Sequence, residues 1–303
     1  MHQSIPLQQS FWTRLLFRWR LWWLRQAASG LWPARSYLPE LPQVEGKQGR
    51  LKIEIVSHCW NYSHLLIYQL SALVLHPPRD VDVILTVFYA AEDQGTAALL
   101  QSFSQRQIPG LRWNFQALPK ESLFRRSIGR NQAALATEAD WIWFTDCDLV
   151  CHEGCLDGLA ATLQGRTEAL VYPREERITA LLAADDALLG QGQSTEPLDI
   201  PATAFQAHQV TRATGPLQIV HGDVARACGY CAQIPTYQEP MPHFAKCHED
   251  RAFRWLLRSD GVPIDVPAVY RIRHQEKGRY QGKAQGQIRL QIRRLQEWWR
   301  ALF

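Results

Sequence analysis

No run of eighteen uninterrupted apolar residues occurs in this chain of 303, so no segment reads as a membrane-spanning helix. A secretory leader is not expected either. The apolar N-terminal stretch is broken by Arg14, Arg18, Arg20 and Arg25 and has no small-residue cleavage site. There is no paired Cys-x-x-Cys framework with added histidines. Cys228 and Cys231 stand alone as a pair, and the seven cysteines are an odd number, so they read as reduced thiols of a cytoplasmic protein rather than as a disulfide or zinc scaffold. No internal repeat is visible. Glycine and lysine are both missing from Ser57-His58-Cys59-Trp60-Asn61, where a nucleotidyltransferase would want a flexible basic phosphate loop.

Charge is scarce in one place and abundant in another. Residues 1–40 hold five basic residues against one acid, and 271–303 hold nine against two, although the whole chain is only +4. The body between them is therefore net acidic. That profile excludes a duplex-nucleic-acid reader and suits a metal-using enzyme with basic tails. Residues 11–28 read as an amphipathic helix. Trp12, Leu15, Leu16, Trp19, Trp22 and Trp23 recur at helical spacing, with Arg14, Arg18 and Arg25 on another stripe. Such a helix lies on an anionic membrane surface or docks on its own core. Residues 284–302 repeat the pattern with Ile288, Ile292, Leu295, Trp299 and Leu302. Three regions follow: a basic segment 1–45, a catalytic body 46–275 and a basic helix 276–303.

Within the body, strands are expected at 51–57, 81–89, 112–117, 141–145, 169–172, 217–220 and 263–270. Helices are expected near 62–75, 96–105, 131–137, 156–164 and 249–258, with a mobile lid over 185–215. Alternating strands and helices imply an α/β fold, an αβα sandwich around a mostly parallel sheet.

The chemistry concentrates in Trp141-Ile142-Trp143-Phe144-Thr145-Asp146-Cys147-Asp148. A buried-type strand ends in two aspartates, one residue apart. In an open α/β sheet that edge is where ligands bind. Adjacent carboxylates repel unless a cation lies between them, and oxygen ligands of this kind suit Mn²⁺ or Mg²⁺ bridging a diphosphate. Ser57, His58 and Asn61 end the first strand and are expected to border a nucleotide base, with Glu92 or Asp93 from the end of the second. Glu249 and Asp250 open a helix, where acids are either dipole partners or a general base. His274 follows the last strand and is a candidate third metal ligand. Arg271, Arg273, Lys277 and Arg279 are candidate diphosphate contacts.

Arg130-Asn131-Gln132-Ala133, followed by the 141–148 stretch, resembles the Arg-Asn-x-Ala … Asp-x-Asp pattern of family-2 glycosyltransferases with the GT-A fold. Downstream, Ile219-Val220-His221-Gly222-Asp223 and Cys247-His248-Glu249-Asp250 resemble the C-terminal half of the galactosyltransferase-like group. The resemblance covers about 51–275. It departs at Phe244-Ala245-Lys246-Cys247-His248, where the group is Gly-rich, and at Glu92-Asp93-Gln94-Gly95, where the family has Asp-Asp-Gly-Ser. It implies a metal-dependent, inverting transferase that moves a sugar from a nucleotide-diphosphate donor, a UDP-sugar first, to a glycan or lipid-linked acceptor. It implies Asp148 as a direct ligand of the cation, and Asp146 beside the ribose or a metal-bound water. Asp250 is then the base and Glu249 holds an acceptor hydroxyl. Arg130, Asn131 and Gly222 join the donor site. From the basic tails a peripheral place on the cytoplasmic membrane face is expected, and from the acidic body no nucleic-acid partner. The competing readings are a non-catalytic membrane-associated scaffold of the same fold, or a nucleotidyltransferase.

Overall fold

Eight consecutive residues, Lys52–Cys59, form strand β1 at the middle of the molecule, and all but the first are buried. The apolar–polar alternation of 51–57 predicts a strand. The strand is covered on both faces, and its Glu54 and Ser57 side chains are hydrogen-bonded internally. Glu54 accepts from the Thr86 hydroxyl at 2.5 Å, and Asn114 Nδ2 donates to the same Thr86 oxygen at 2.9 Å. The protein is described by a computed structural model over residues 11–27, 37–192, 194–244 and 248–275. The expected C-terminal helix and the 276–303 region lie outside the described residues.

The remaining strands are β2 (Asp82–Tyr89), β3 (Leu111–Ala117), β4 (Trp141–Phe144), β5 (Leu149–Cys151), β6 (Leu170–Pro173), β7 (Glu175–Thr179), β8 (Phe205–Gln209), β9 (Gln218–His221), β10 (Val262–Ile264) and β11 (Val269–Arg271). The helices are α1 (Phe11–Ala27), α2 (Ser63–Leu75), α3 (Gln94–Ser104), α4 (Lys120–Leu123), α5 (Arg126–Ala136), α6 (Cys155–Leu163), α7 (Ala187–Gln191), α8 (Gly222–Cys228) and α9 (Glu249–Leu256). Seven strands form the main sheet in the order β10-β6-β9-β4-β1-β2-β3, all co-directional except β9. The expected αβα sandwich around a mostly parallel sheet is therefore what the chain adopts. A smaller sheet, β5-β11-β7-β8, flanks it.

The chain steps outward from β1 to β2 to β3 through α2 and α3, then returns through α4 and α5 to β4 on the other side of β1. Right-handed crossovers place α2 with α3 on one face and α5 with α8 on the other. The order in which strands are added thus reverses between the parallel strands β1 and β4, and the crevice at their carboxyl ends is the ligand-binding position of such sheets. Trp141, Ile142, Trp143 and Phe144 of β4 are all buried, and Trp143 Nε1 donates to the Pro216 carbonyl at 3.0 Å. A bulky, fully desolvated strand of this kind fixes the position of whatever follows it, here the Asp146–Asp148 loop.

Two expectations are corrected. The strand expected over 263–270 is two strands in two sheets, because Ala268 adopts a left-handed φ of 53° between them. The 185–215 region is not a structureless lid. It contains α7 and β8, and Tyr68 Oη anchors it by donating to the Leu188 carbonyl at 2.7 Å.

Candidate functional site

Asp146 and Asp148 leave β4 at the crevice, with side chains 31% and 17% exposed. Their loop is braced from below. Gln69 of α2 donates to the Leu149 carbonyl at 2.9 Å and to that of Asp146 at 3.3 Å, and Ser57 Oγ donates to Gln69 Oε1 at 2.6 Å. Ser57 is wholly buried. It therefore supports the aspartate loop from inside and does not line the base pocket expected of it.

The central group of the site is Arg126, on the first turn of α5. Its guanidinium donates to Asp146 Oδ1 through Nη1 and to Glu249 Oε1 through Nη2 at 2.9 Å and Nε at 3.1 Å. One cation thereby joins the loop after β4 to the start of α9, 123 residues from Arg126 to Glu249. Burial favours loss of the Arg126 proton, but the carboxylates of Asp146 and Glu249 outweigh it and hold the guanidinium charged, well above its ordinary value. Arg130, one turn on, lies on the same face of α5. It is wholly buried, donating to the Thr145 carbonyl at 3.0 Å, to Tyr230 Oη at 2.9 Å and to Asp146 Oδ1 at 3.4 Å. Tyr230 Oη in turn donates to Gln218 Oε1 at 2.9 Å, and Gln218 Nε2 donates to the Asp250 carbonyl at 3.0 Å. A continuous buried polar chain thus fixes the α9 start relative to the aspartate loop. Burial pushes the Tyr230 phenol far above its ordinary value, so it acts only as a neutral hydrogen-bonding link.

His274 reaches the site through sheet pairing. β11 runs antiparallel to β5, setting Arg271 opposite Leu149, and the Ile272 amide donates to the Asp148 carbonyl at 2.9 Å. His274 Nε2 then lies 3.9 Å from Asp148 Oδ2, 3% exposed. An imidazole nitrogen facing a carboxylate across that gap is a donor set that fits Mn²⁺. Asp146 is engaged by Arg126 instead of completing the set. Asp250 sits at the rim, its carboxylate 28% exposed and 3.8 Å from Arg254.

Other expected contacts fall elsewhere. The Asp93 carboxylate is buried and accepts from the Asn61 amide at 2.6 Å, the Thr96 amide at 3.1 Å and the Thr96 hydroxyl at 2.7 Å. It caps α3 and holds Asn61 in its left-handed conformation, φ 56°. Glu92 is the exposed acid of that turn. His58 is buried with its ring stacked 5.2 Å from Phe88, under Gly129 of α5, where a Cβ would come within 2.4 Å of Nε2. Burial, then the charges of Arg130 and Arg126, hold it neutral, well below its ordinary value. It is a packed interior group, not a base contact. Asn131 points away from the crevice, its Oδ1 accepting from the Tyr230 amide at 2.9 Å.

Gly222 is corrected most clearly. β9 is the antiparallel strand and pairs His221 with Trp141, so Gly222 lies at the sheet edge opposite the aspartates. Its role is steric, since a Cβ there would lie 2.1 Å from the Ala139 carbonyl oxygen. Arg271 is likewise committed, to buried Glu176. Sequence reasoning missed Arg126, Gln69, Gln218 and Tyr230. Only Arg126 carries a signal, its four-residue spacing from Arg130.

Residues 84–181 match the family model described as glycosyl transferase family 2, so the family-2-like glycosyltransferase resemblance stands over that stretch. Among solved structures, the mannosyltransferase PcManGT from Pyrobaculum calidifontis, in complex with GDP-Man and Mn²⁺, is similar at 15% identity and TM-score 0.45, covering 90% of this chain and 72% of that one. Residues 1–349 of S. aureus TarS are similar at 13% identity in both of two crystal structures. With UDP-GlcNAc the TM-score is 0.43, covering 77% of this chain and 62% of that one, and in the other it is 0.38, covering 74% and 58%. No curated protein matches the chain.

Proposed function

We propose that this protein is a metal-dependent, inverting glycosyltransferase that moves a sugar from a nucleotide-diphosphate donor, with UDP-sugar favoured over GDP-sugar, to a hydroxyl of a glycan or lipid-linked acceptor. The observation that carries this reading is the Arg126 clasp. It gathers Asp146 after β4 and Glu249 opening α9, distant in sequence, at the switch-point crevice, where Asp148 also lies near His274. The matched family-2 stretch supports the same reading.

In this mechanism Asp148 and His274 would hold a divalent cation, Mn²⁺ or Mg²⁺, which when bound would supply Lewis-acid stabilisation for a departing diphosphate. Asp250 accepts the proton of the acceptor hydroxyl as its oxygen attacks the anomeric carbon from the face opposite the leaving group. The carbon–oxygen bond to the diphosphate breaks, and that oxygen keeps the electron pair. Glu249, held by Arg126, fixes the α9 start so that Asp250 presents its carboxylate at the rim. Glu92, the exposed acid of its turn, is read as the contact to the base or ribose.

The test is thermal-shift titration with UDP and GDP, each with and without Mn²⁺, on wild type and Asp148→Ala. A ligand at a hundredfold excess over Kd stabilises the native state by about 2.7 kcal/mol. A Mn²⁺-dependent shift with UDP, lost in Asp148→Ala, is expected. No shift with either nucleotide would favour the non-catalytic scaffold.

The same proposal extends to location. No helix among the described residues is long and apolar enough to cross a membrane. α1 nevertheless exposes Phe11, Trp12, Leu15, Leu16, Trp19 and Trp22 along one surface, with Arg18, Arg20 and Arg25 also exposed. Aromatic rings beside arginines suit the headgroup layer of an anionic bilayer, and we read α1 as a peripheral membrane contact.

A further inference from the structure

At the edge of the fold away from the crevice, three chain segments bring together side chains that the transferase reading does not use. His76 follows the last turn of α2, which runs back from the active edge of the sheet. His152 follows β5, and Asp199 lies in the segment leading to β8. His152 Nε2 is 2.9 Å from Asp199 Oδ1, and His76 Nε2 is 3.5 Å from the same oxygen. The two rings lie 4.2 Å apart at 54°, and the three ligand atoms all fall within 4.8 Å of one another. The imidazoles are largely covered, 17% and 15% exposed, while Asp199 is 52% exposed. His76 Nε2 is buried without a hydrogen-bond partner.

We propose that His76, His152 and Asp199 form a zinc-binding site. Two imidazole nitrogens and one carboxylate oxygen are a set that Mg²⁺ and Ca²⁺ do not select and Zn²⁺ does. Bonds of about 2.1 Å in a tetrahedron put ligand atoms about 3.4 Å apart, so the observed spacing needs only small rotations. A fourth position is left for water on the exposed Asp199 side.

The site's consequence is mechanical. The segment ahead of Asp199 is laid along α2 and α3: the Leu198 amide donates to Ser71 Oγ at 2.9 Å, and Arg106 pairs with Glu196 at 2.8 Å. A bound ion fastens the end of this strap to α2 and to β5, whose other end carries Asp148.

Co²⁺ replaces Zn²⁺ in such sites and absorbs visible light when its coordination is low and nitrogen-containing. The experiment titrates Co²⁺, then competes with Zn²⁺, on the full chain as wild type, His152→Gln, Asp199→Asn and Asp148→Ala. A visible band displaced by one equivalent of Zn²⁺ is expected in wild type and Asp148→Ala. His152→Gln and Asp199→Asn should bind Zn²⁺ weaker on the order of tenfold or more. His76→Gln serves if either variant fails to fold. No band in wild type, or a band that survives these ligand substitutions, overturns the proposal. A band lost in Asp148→Ala alone assigns it to the crevice and also overturns it. Failure of the His76–His152–Asp199 site leaves the transferase reading untouched, and a band assigned to the crevice bears only on that reading's cation site.

Discussion

Arg126 shows how much one side chain can organise. It neutralises two carboxylates from opposite halves of the chain, and Glu249 is almost fully buried. Removing one partner of a buried ion pair leaves an uncompensated charge, at a cost of about 3–5 kcal/mol. Arg126→Met is therefore expected to lower Tm, and added Mn²⁺ should recover more of the loss than it adds to wild type, because the cation then meets carboxylates that have lost the Arg126 charge. Differential scanning fluorimetry with and without Mn²⁺ checks both parts. Glu54 offers a pH test away from the site. Burial raises its carboxyl above the ordinary 4.5, against hydrogen bonds from Thr137 and Thr86. The folded chain thus keeps a proton that the unfolded chain releases. Its contribution to stability is full below the ordinary value and is lost as pH rises through the folded value. Glu54→Gln should gain stability relative to wild type across that window, measured by urea unfolding at a series of pH values. Residue-level signals in the sequence were uneven for a physical reason. Asp146, Asp148 and the acids of α9 stand out because charges end apolar or helical runs. Gln69, Gln218 and Tyr230 carry no such mark, since their partners lie 12 to 100 residues away and only the folded sheet defines them.

At the level of elements, β9 decides which motif residues meet. Read as another parallel strand, Ile219-Val220-His221-Gly222 delivers its glycine to the crevice. Antiparallel to β4, it delivers Gln218 there and carries Gly222 to the far edge. Strand direction is not encoded in a four-residue apolar run, whose pattern is the same either way. The long parallel strands were legible because they are buried runs flanked by helices. β5 and β7 were not, since β5 is only three residues and β7 is mostly polar. Gly222→Ala tests the corrected role. Its Cβ would press on the Ala139 carbonyl, and overpacking of this kind costs about 1–3 kcal/mol. Thermal unfolding should register that loss, while the Kd for UDP with Mn²⁺, measured by calorimetry below the transition, should stay unchanged. A large rise in Kd would return Gly222 to the donor site.

The whole molecule combines an acidic body with a basic, aromatic helix seated on it. α1 is packed rather than tethered. Leu21 packs against the core, the Arg125 guanidinium lies 5.1 Å over the Phe17 ring, and α1 contacts α9. The amphipathic spacing forecast the helix, which docks on the core through one face and leaves its other aromatic face exposed. The triple variant Trp12→Glu, Leu16→Glu, Trp19→Glu changes only exposed positions and is preferable to a deletion, which would uncover α9. Co-sedimentation with anionic vesicles should fall at least tenfold in this variant with the thermal transition unaltered. Equal pelleting by both proteins would remove the membrane role from α1. The seat of α1 on α9 also has a geometric consequence. A helix on a loose linker lets a catalytic body tumble above the surface that holds it. A helix clamped to the element that opens with Glu249 and Asp250 does not. Whatever plane grips α1 sets the height and tilt of Asp250, the proposed base, above that plane, so on the proposed reading acceptors would be sorted by how far their hydroxyl stands from the surface as well as by their chemistry.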